Sequence, residues 1–257
     1  MWNSFRTDAR LGIKAEVITY AGGYGDEIHA YLARPIATEP TTAVPGIVAV
    51  HHMPGWDEFY REFSERLARH GYSVICPDLY CRLGHGAPAD IAAVARSRGG
   101  VRDDSVEADC GAALRWPKAL PLSNGKVGII GTCSGGRHAL LAASRVTGFD
   151  AVADLWGGGV VMAKEELSEA RPVAPIYYTA DLSAPLLGLF GNDDTHPSPA
   201  EVDLHEAELK KYGKAYEFYR YDGAGHSFYY HTPMYRPEAA MDGWAKVFSF
   251  FSRYLKS

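Results

Sequence analysis

The chain has 257 residues, with 31 acidic and 26 basic side chains and a formal charge of −5. Apolar residues make up 47% and charged residues 22%, close to the average for globular proteins. A chain this long buries a core without metal or disulfide staples, its 15 Pro and 27 Gly follow no repeat, and its negative charge disfavours nucleic acid as a partner.

Met1–Lys14 carries Arg6, Asp8, Arg10 and Lys14 and lacks the apolar stretch of a secretory leader. No apolar run approaches the ~18 residues of a membrane span. A cytoplasmic protein with no membrane or nucleic-acid partner is expected, as a monomer or small homo-oligomer. Cys76, Cys81, Cys110 and Cys133 form no CxxC pair and are expected to be free thiols.

Short β-rich runs bounded by Gly or Pro predict strands at Ala15–Tyr20, Ile28–Ala33, Gly46–His51, Ser73–Pro77, Lys126–Ile130, Ala151–Trp156, Leu186–Phe190 and Ala215–Tyr221. Between them the spacing turns helical. Phe59, Phe63 and Leu67 recur every four residues. A helix-like run passes through Ala139–Ala143. Leu204, Ala207 and Leu209 follow a cap-then-proline start at Ser198-Pro199. A last helix is predicted from Glu238 to Leu255, with Trp244, Val247, Phe248, Phe251 and Leu255 on one face. Two early strands followed by strand–helix alternation predict one α/β domain over 1–257. Its sheet is mostly parallel with an antiparallel N-terminal pair and helices on both faces. Gly157–Ala184 is the least regular stretch and reads as a cap or a long loop over the sheet.

The strongest local signal is Gly131-Thr132-Cys133-Ser134-Gly135-Gly136, set between a strand and a helix. It has the G-x-nucleophile-x-G form of a nucleophile elbow, with Cys at the apex. A sharp strand-to-helix turn lifts the nucleophile, the glycines relieve clashes, and the helix N-terminus favours a thiolate. The competing reading is a glycine-rich turn around a buried Cys. Such an elbow needs an acid and then a base in chain order. Leu186–Phe190 leads into Asn192-Asp193-Asp194, where Asp194 is the preferred acid and an Asx turn or helix cap the competing role. The strand ending at Tyr221 leads into Gly223-Ala224-Gly225-His226, which makes His226 the base. In this scheme Asp194 orients His226, His226 activates Cys133, and the backbone N–H of Ser134 serves an oxyanion hole. His51 and His52 are adjacent, so they do not readily share a metal ion. Trp156, Tyr80 and Tyr229–His231 either line an apolar pocket or belong to the core.

Three of these pieces resemble the dienelactone hydrolase family of α/β hydrolases: Gly131–Gly136, Gly191–Asp194 and Gly223–Phe228. Val50–Gly55 and Pro77–Arg82 are also similar to it, and the resemblance runs from about Ala15 onward. It implies an α/β-hydrolase fold without a large cap. It implies opening of dienelactone to maleylacetate, with no metal or organic cofactor. It further implies an oxyanion hole from the N–H groups of Met53 and Ser134, and Arg82 as the residue that holds the substrate carboxylate. Two positions depart from the family pattern. A Glu that takes part in forming the thiolate is replaced by His52. A second substrate-binding Arg is replaced by Tyr230, with Arg137 and Arg236 as possible substitutes. These departures leave a carboxylesterase or thioesterase for a different, neutral acyl group as the alternative, and an inert binding protein of the same fold as the non-enzyme reading.

Overall fold

A computed structural model describes residues 12–36, 43–229 and 233–256. Eight strands form one sheet in the order β1-β2-β4-β3-β5-β6-β7-β8. They are β1 (Ile13–Ala21), β2 (Glu27–Pro35), β3 (Val44–Val50), β4 (Ser73–Pro77), β5 (Ser123–Thr132), β6 (Ala151–Leu155), β7 (Leu186–Gly191) and β8 (Tyr216–Tyr221). β1 pairs antiparallel with β2, and β2 antiparallel with β4. From β4 through β3 to β8 every pairing is parallel. Each predicted strand therefore has its counterpart, and the antiparallel pair sits at the N-terminal edge.

The helices are α1 (Glu58–Arg69), α2 (Pro88–Ser97), α3 (Asp103–Ala119), α4 (Ser134–Arg145), α5 (Pro199–Lys211) and α6 (Pro237–Leu255). Strand side chains alternate between two apolar layers, as a pleat of period two requires. Ile47, Ala49 and Ile130 face the layer of α1 and α6, with Phe63, Leu67, Trp244 and Phe251. Val48, Val50 and Ile129 face the layer of α3 and α4, with Val106, Cys110, Leu140 and Leu141. Both faces of the central strands are covered, which explains their unbroken apolar runs.

The local signals act as expected at most helix ends. Ser198 caps α5 with Glu201 in a reciprocal capping box, and Pro199 opens the helix. Asp57 caps α1 by accepting from the Tyr60 N–H. Three details differ from the sequence reading. Helices α2 and α3 lack a strong apolar period, because Ala92, Ala95, Ala112 and Ala113 make much of their buried faces. In α5, Leu204 is 56% exposed, and Val202, His205 and Leu209 make the buried face instead. In α6, Phe248 is only half-buried and stacks on the His70 ring at 3.6 Å. The irregular stretch after β6 is a long loop with two short 3-10 turns, Lys164–Glu166 and Pro175–Asp181. Among the described residues no helix is long and apolar enough to cross a membrane.

Candidate active site

The parallel strands end on one rim, and the chemistry gathers there. β5 runs into α4 with only Cys133 between them, so the chain reverses within one residue. Cys133 takes φ 54 and ψ −128, a left-handed conformation that a non-glycine residue adopts only when its surroundings hold it there. The glycines make this possible. A Cβ on Gly131 would lie 2.1 Å from the Gly135 carbonyl oxygen, and one on Gly135 would lie 2.1 Å from the Val50 carbonyl oxygen. Any side chain at either place would drive α4 off the sheet. The turn is also held from α1, where the Tyr60 hydroxyl accepts from the Thr132 N–H at 2.9 Å and pairs with its hydroxyl at 3.0 Å. Ser134 is the first residue of α4, so its N–H has no carbonyl one turn earlier to bond.

The structure brings three of the predicted residues into one line. Asp194, just past β7, is 6% exposed. Its Oδ2 lies 2.8 Å from His226 Nδ1, and its Oδ1 accepts from the His196 N–H at 2.9 Å. The Asx turn considered for this residue is thus made by the same carboxylate that meets the imidazole. Asp193 is exposed and contributes its backbone N–H to the Ala224 carbonyl at 2.9 Å. Cys133 lies on the other side of the cleft-facing imidazole, close enough to act on its charge. Burial alone would lower the His226 pKa, but the Asp194 hydrogen bond together with the negative charge of Asp194 and Cys133 raises it to about 10. The imidazole is therefore held as an imidazolium beside a half-buried, free Cys133.

A cleft of about 320 Å³ opens beside this line, bordered by Met53, Tyr80, Cys133, Ser134, Asp194 and His226. Met53 and Ser134, the two expected N–H donors, thus border the space where a carbonyl would sit against Cys133. Arg137, His138, Arg171 and His196 complete its polar wall. A second cavity reaches Cys133 and His226 from the other side, lined by His52, Phe59, Trp156 and Tyr229. His52 replaces solvent with a partner there: its Nε2 lies 2.8 Å from Asp57 Oδ2, and its ring stacks on Phe59 at 5.2 Å. Trp156 is 1% exposed and packs on Phe228 and Tyr229 with ring centroids 4.7 and 4.8 Å away, so it is both core and cavity wall. His51 is structural. Its Nδ1 pairs with the His52 carbonyl at 2.9 Å, its Nε2 accepts from the Leu79 N–H at 3.1 Å, and burial keeps it neutral.

Arg82, expected to hold a substrate carboxylate, lines an adjoining cavity that shares Gly100 and Val101 with the cleft. Its guanidinium is filled by Asp109 (Nη1 2.6 Å, Nη2 3.0 Å) and by Asp26 (Nε 2.6 Å, Nη2 2.9 Å). Arg137 borders the cleft, but its nitrogens are spent on Asp103 at 2.6 and 2.9 Å and on the Gly159 carbonyl at 3.1 Å. Arg236 bonds the Gly223 and Tyr235 carbonyls. Tyr230 and His231 lie outside the described residues. Sequence reasoning missed Arg171, His138 and His196. His138 follows the elbow on α4, but Arg171 sits in an irregular loop with no motif to announce it. Among the described residues no group of three or more His, Cys, Asp or Glu side chains is arranged to hold a metal ion.

An eight-stranded, mostly parallel sheet with a strained residue between a strand and its helix defines an α/β hydrolase. The profile of the dienelactone hydrolase family matches residues 28–255. A protein of Salmonella typhimurium named "Putative carboxymethylenebutenolidase" is 33% identical over 242 residues, which cover 92% of this chain and 87% of that one. A protein of Bradyrhizobium named "Probable 2-oxo-3-(5-oxofuran-2-ylidene)propanoate lactonase" is 28% identical over 225 residues, 87% of this chain and 88% of its own. A crystal structure of a Klebsiella pneumoniae protein named "Putative Dienelactone Hydrolase" superposes with a TM-score of 0.83 at 28% identity, covering 94% of this chain and 99% of that one. The chain belongs to the dienelactone hydrolase family and is a hydrolase of that type.

Proposed function

We propose that this chain opens a lactone or small carboxylic ester through Cys133, His226 and Asp194, with a dienelactone as the first substrate to try. The observation that carries the reading is the Asp194–His226 pair at 2.8 Å, set beside Cys133 at the mouth of an open cleft. The relatives' names, a carboxymethylenebutenolidase and a lactonase, support a cyclic ester as substrate.

The steps follow from the geometry. His226 holds the Cys133 proton, so Sγ attacks the carbonyl carbon as a thiolate. The carbonyl oxygen becomes an oxyanion facing the N–H groups of Met53 and Ser134, where fixed dipoles stabilise it without reorganising. Collapse breaks the ester C–O bond, and the leaving oxygen takes the proton from His226. A thioester to Cys133 remains. Water then attacks it, giving one proton to neutral His226, and collapse releases the thiolate and the carboxylic acid, which ionises to solvent. Asp194 keeps Nδ1 occupied throughout, so only Nε2 exchanges protons with the reacting groups.

A neutral-ester specificity is the second reading, favoured by the locking of Arg82 onto Asp109 and Asp26. The test follows dienelactone absorbance and p-nitrophenyl acetate hydrolysis with the wild-type chain and with Cys133→Ala. Wild-type turnover with a loss on the order of 10⁴-fold or more in Cys133→Ala is expected. Full activity in Cys133→Ala would sink the proposal. Brisk acetate hydrolysis without lactone turnover would move the substrate to a neutral ester.

A further inference from the structure

The cleft beside Cys133 is rich in cationic groups, and one of them has no counter-ion. Its wall holds Arg137, Arg171 and the His226 imidazolium, and the imidazolium already faces Asp194 and Cys133. Both Asp194 oxygens are taken, by His226 and by the His196 N–H. The Arg137 guanidinium is neutralised by Asp103. Arg171 is different. Its Nε is buried without a hydrogen-bond partner, and its guanidinium has no ion pair or hydrogen bond among the described residues. His138 Nδ1, on the same wall, is buried and unpartnered as well. Burial, with Arg137, His51 and Arg171 close by, pushes the His138 pKa well below the usual histidine range, so it adds no charge.

A partly buried guanidinium without a partner has lost water and gained nothing in return, unless a ligand completes it. Its backbone is firmly placed. The Arg171 N–H donates to the Ser168 carbonyl at 3.1 Å and to the Ser168 hydroxyl at 3.2 Å. The neighbouring Ala170 carbonyl accepts from the Asp103 N–H at 2.8 Å, which pins the loop to the start of α3. The loop thus fixes the Arg171 backbone and places its side chain on the wall of the cleft that Cys133 borders. The matching group for a guanidinium fork is a planar carboxylate.

We propose that Arg171 is the specificity residue of this site, binding a carboxylate substituent of the ester or lactone. The inference rests on the hydrolase reading above and moves the anion contact from Arg82 to the loop after β6.

The test uses two p-nitrophenyl esters of equal acyl length, mono-p-nitrophenyl glutarate and p-nitrophenyl valerate. The readout is the ratio of their kcat/KM values in the wild-type chain and in Arg171→Leu, Arg171→Lys and Arg171→Glu. Rates are expressed per Cys133 titrated with iodoacetamide, so a poorly folded variant is recognised as such. The expected result is a ratio about 10- to 100-fold lower in Arg171→Leu, carried mainly by KM of the charged ester. Arg171→Lys should recover part of it, and Arg171→Glu should fall below Leu. Competitive inhibition by glutarate should weaken by the same factor, which provides a second readout of the same contact. An unchanged ratio in Arg171→Leu, or an equal fall in Arg82→Leu, overturns the assignment. Cys133-dependent hydrolysis with an unmoved ratio removes Arg171 alone, whereas wild-type turnover no better than Cys133→Ala removes the hydrolase reading and Arg171 with it.

Discussion

Two arginine-bearing regions lie near the strand ends, and they differ in what neutralises them. In one, Arg82 joins the β1–β2 turn through Asp26 to α3 through Asp109, whose Oδ1 also accepts from the Gly23 N–H at 3.1 Å. Every carboxylate and guanidinium there has a protein partner, so the cluster is a clamp between three pieces of chain. In the other, the cleft at Cys133, the His226 imidazolium is met by Asp194 and Cys133, while the Arg171 side chain has no carboxylate partner among the described residues. A charge neutralised within the fold holds the fold together. A charge left without a partner beside an open cleft is available to a ligand.

Three measurements bear on that contrast. The largest effect is expected from Asp194→Asn, which keeps the shape but loses the negative charge on the imidazole. Lactone kcat/KM should fall about 10³- to 10⁴-fold. The His226 pKa, followed by NMR, should drop from about 10 towards the ordinary histidine value. The sign for stability follows from the raised folded pKa. The contribution of His226 is fully present below about pH 6.5 and is lost as the pH climbs through about 10, a dependence that Asp194→Asn should flatten. A His226 titration unmoved by the substitution would show that Asp194 does not set its charge.

Arg82→Met is the next test. It leaves the Asp109 carboxylate, 1% exposed, without its cation. Breaking a fully buried pair costs about 3–5 kcal/mol. Arg82 is 31% exposed, so a loss of about 2 kcal/mol in urea unfolding is expected here, with lactone kcat/KM changed by less than about threefold. Loss of lactone turnover at an unchanged unfolding midpoint would break the contrast and return Arg82 to the substrate.

The smallest effect concerns Asp154 beneath the elbow. Its Oδ1 accepts from the Gly157 N–H at 2.8 Å, while its Oδ2 is buried without a partner. Burial raises its pKa to about 7. A raised folded pKa means that its stabilising contribution is complete below about pH 4 and is lost as the pH rises through about 7. Asp154→Asn keeps the Gly157 bond and removes the charge. It should match the wild-type chain near pH 4, gain on it steadily towards pH 7, and exceed it at pH 8 by about 1 kcal/mol or more. Equal gains at the two ends of this range would mean that the carboxylate never ionises within it.

How far the chain could be read in advance varied with the kind of signal. The strands showed themselves because each is a dense apolar run between turn residues, and burial on both faces demands that composition. Helix α3 did not, because Gly111, Ala112 and Ala113 pack closely without strong hydrophobicity and Pro117 interrupts its last turn. The elbow was legible down to the residue, since Gly131 and Gly135 stand at a fixed spacing around Cys133 and the Gly131 contact with the Gly135 carbonyl is local, although the clash that requires Gly135 comes from Val50. The choice of Asp194 over Asp193 was only a preference until the structure set one of them against His226 and turned the other to solvent.

The sequence by itself determined the succession of strands along the chain, the position of the strained Cys133 turn, and the turns after later strands that carry Asp194 and His226. Each depends on local backbone sterics or on the periodicity of a single element. Only the tertiary structure decided which arginine is spoken for and which is open. Arg82 is neutralised by carboxylates 56 and 27 residues away, and Arg137 by one 34 residues away. Arg171 has no counterpart among the described residues. Charge compensation acts through space over a few ångströms, and distance along the chain carries no record of it.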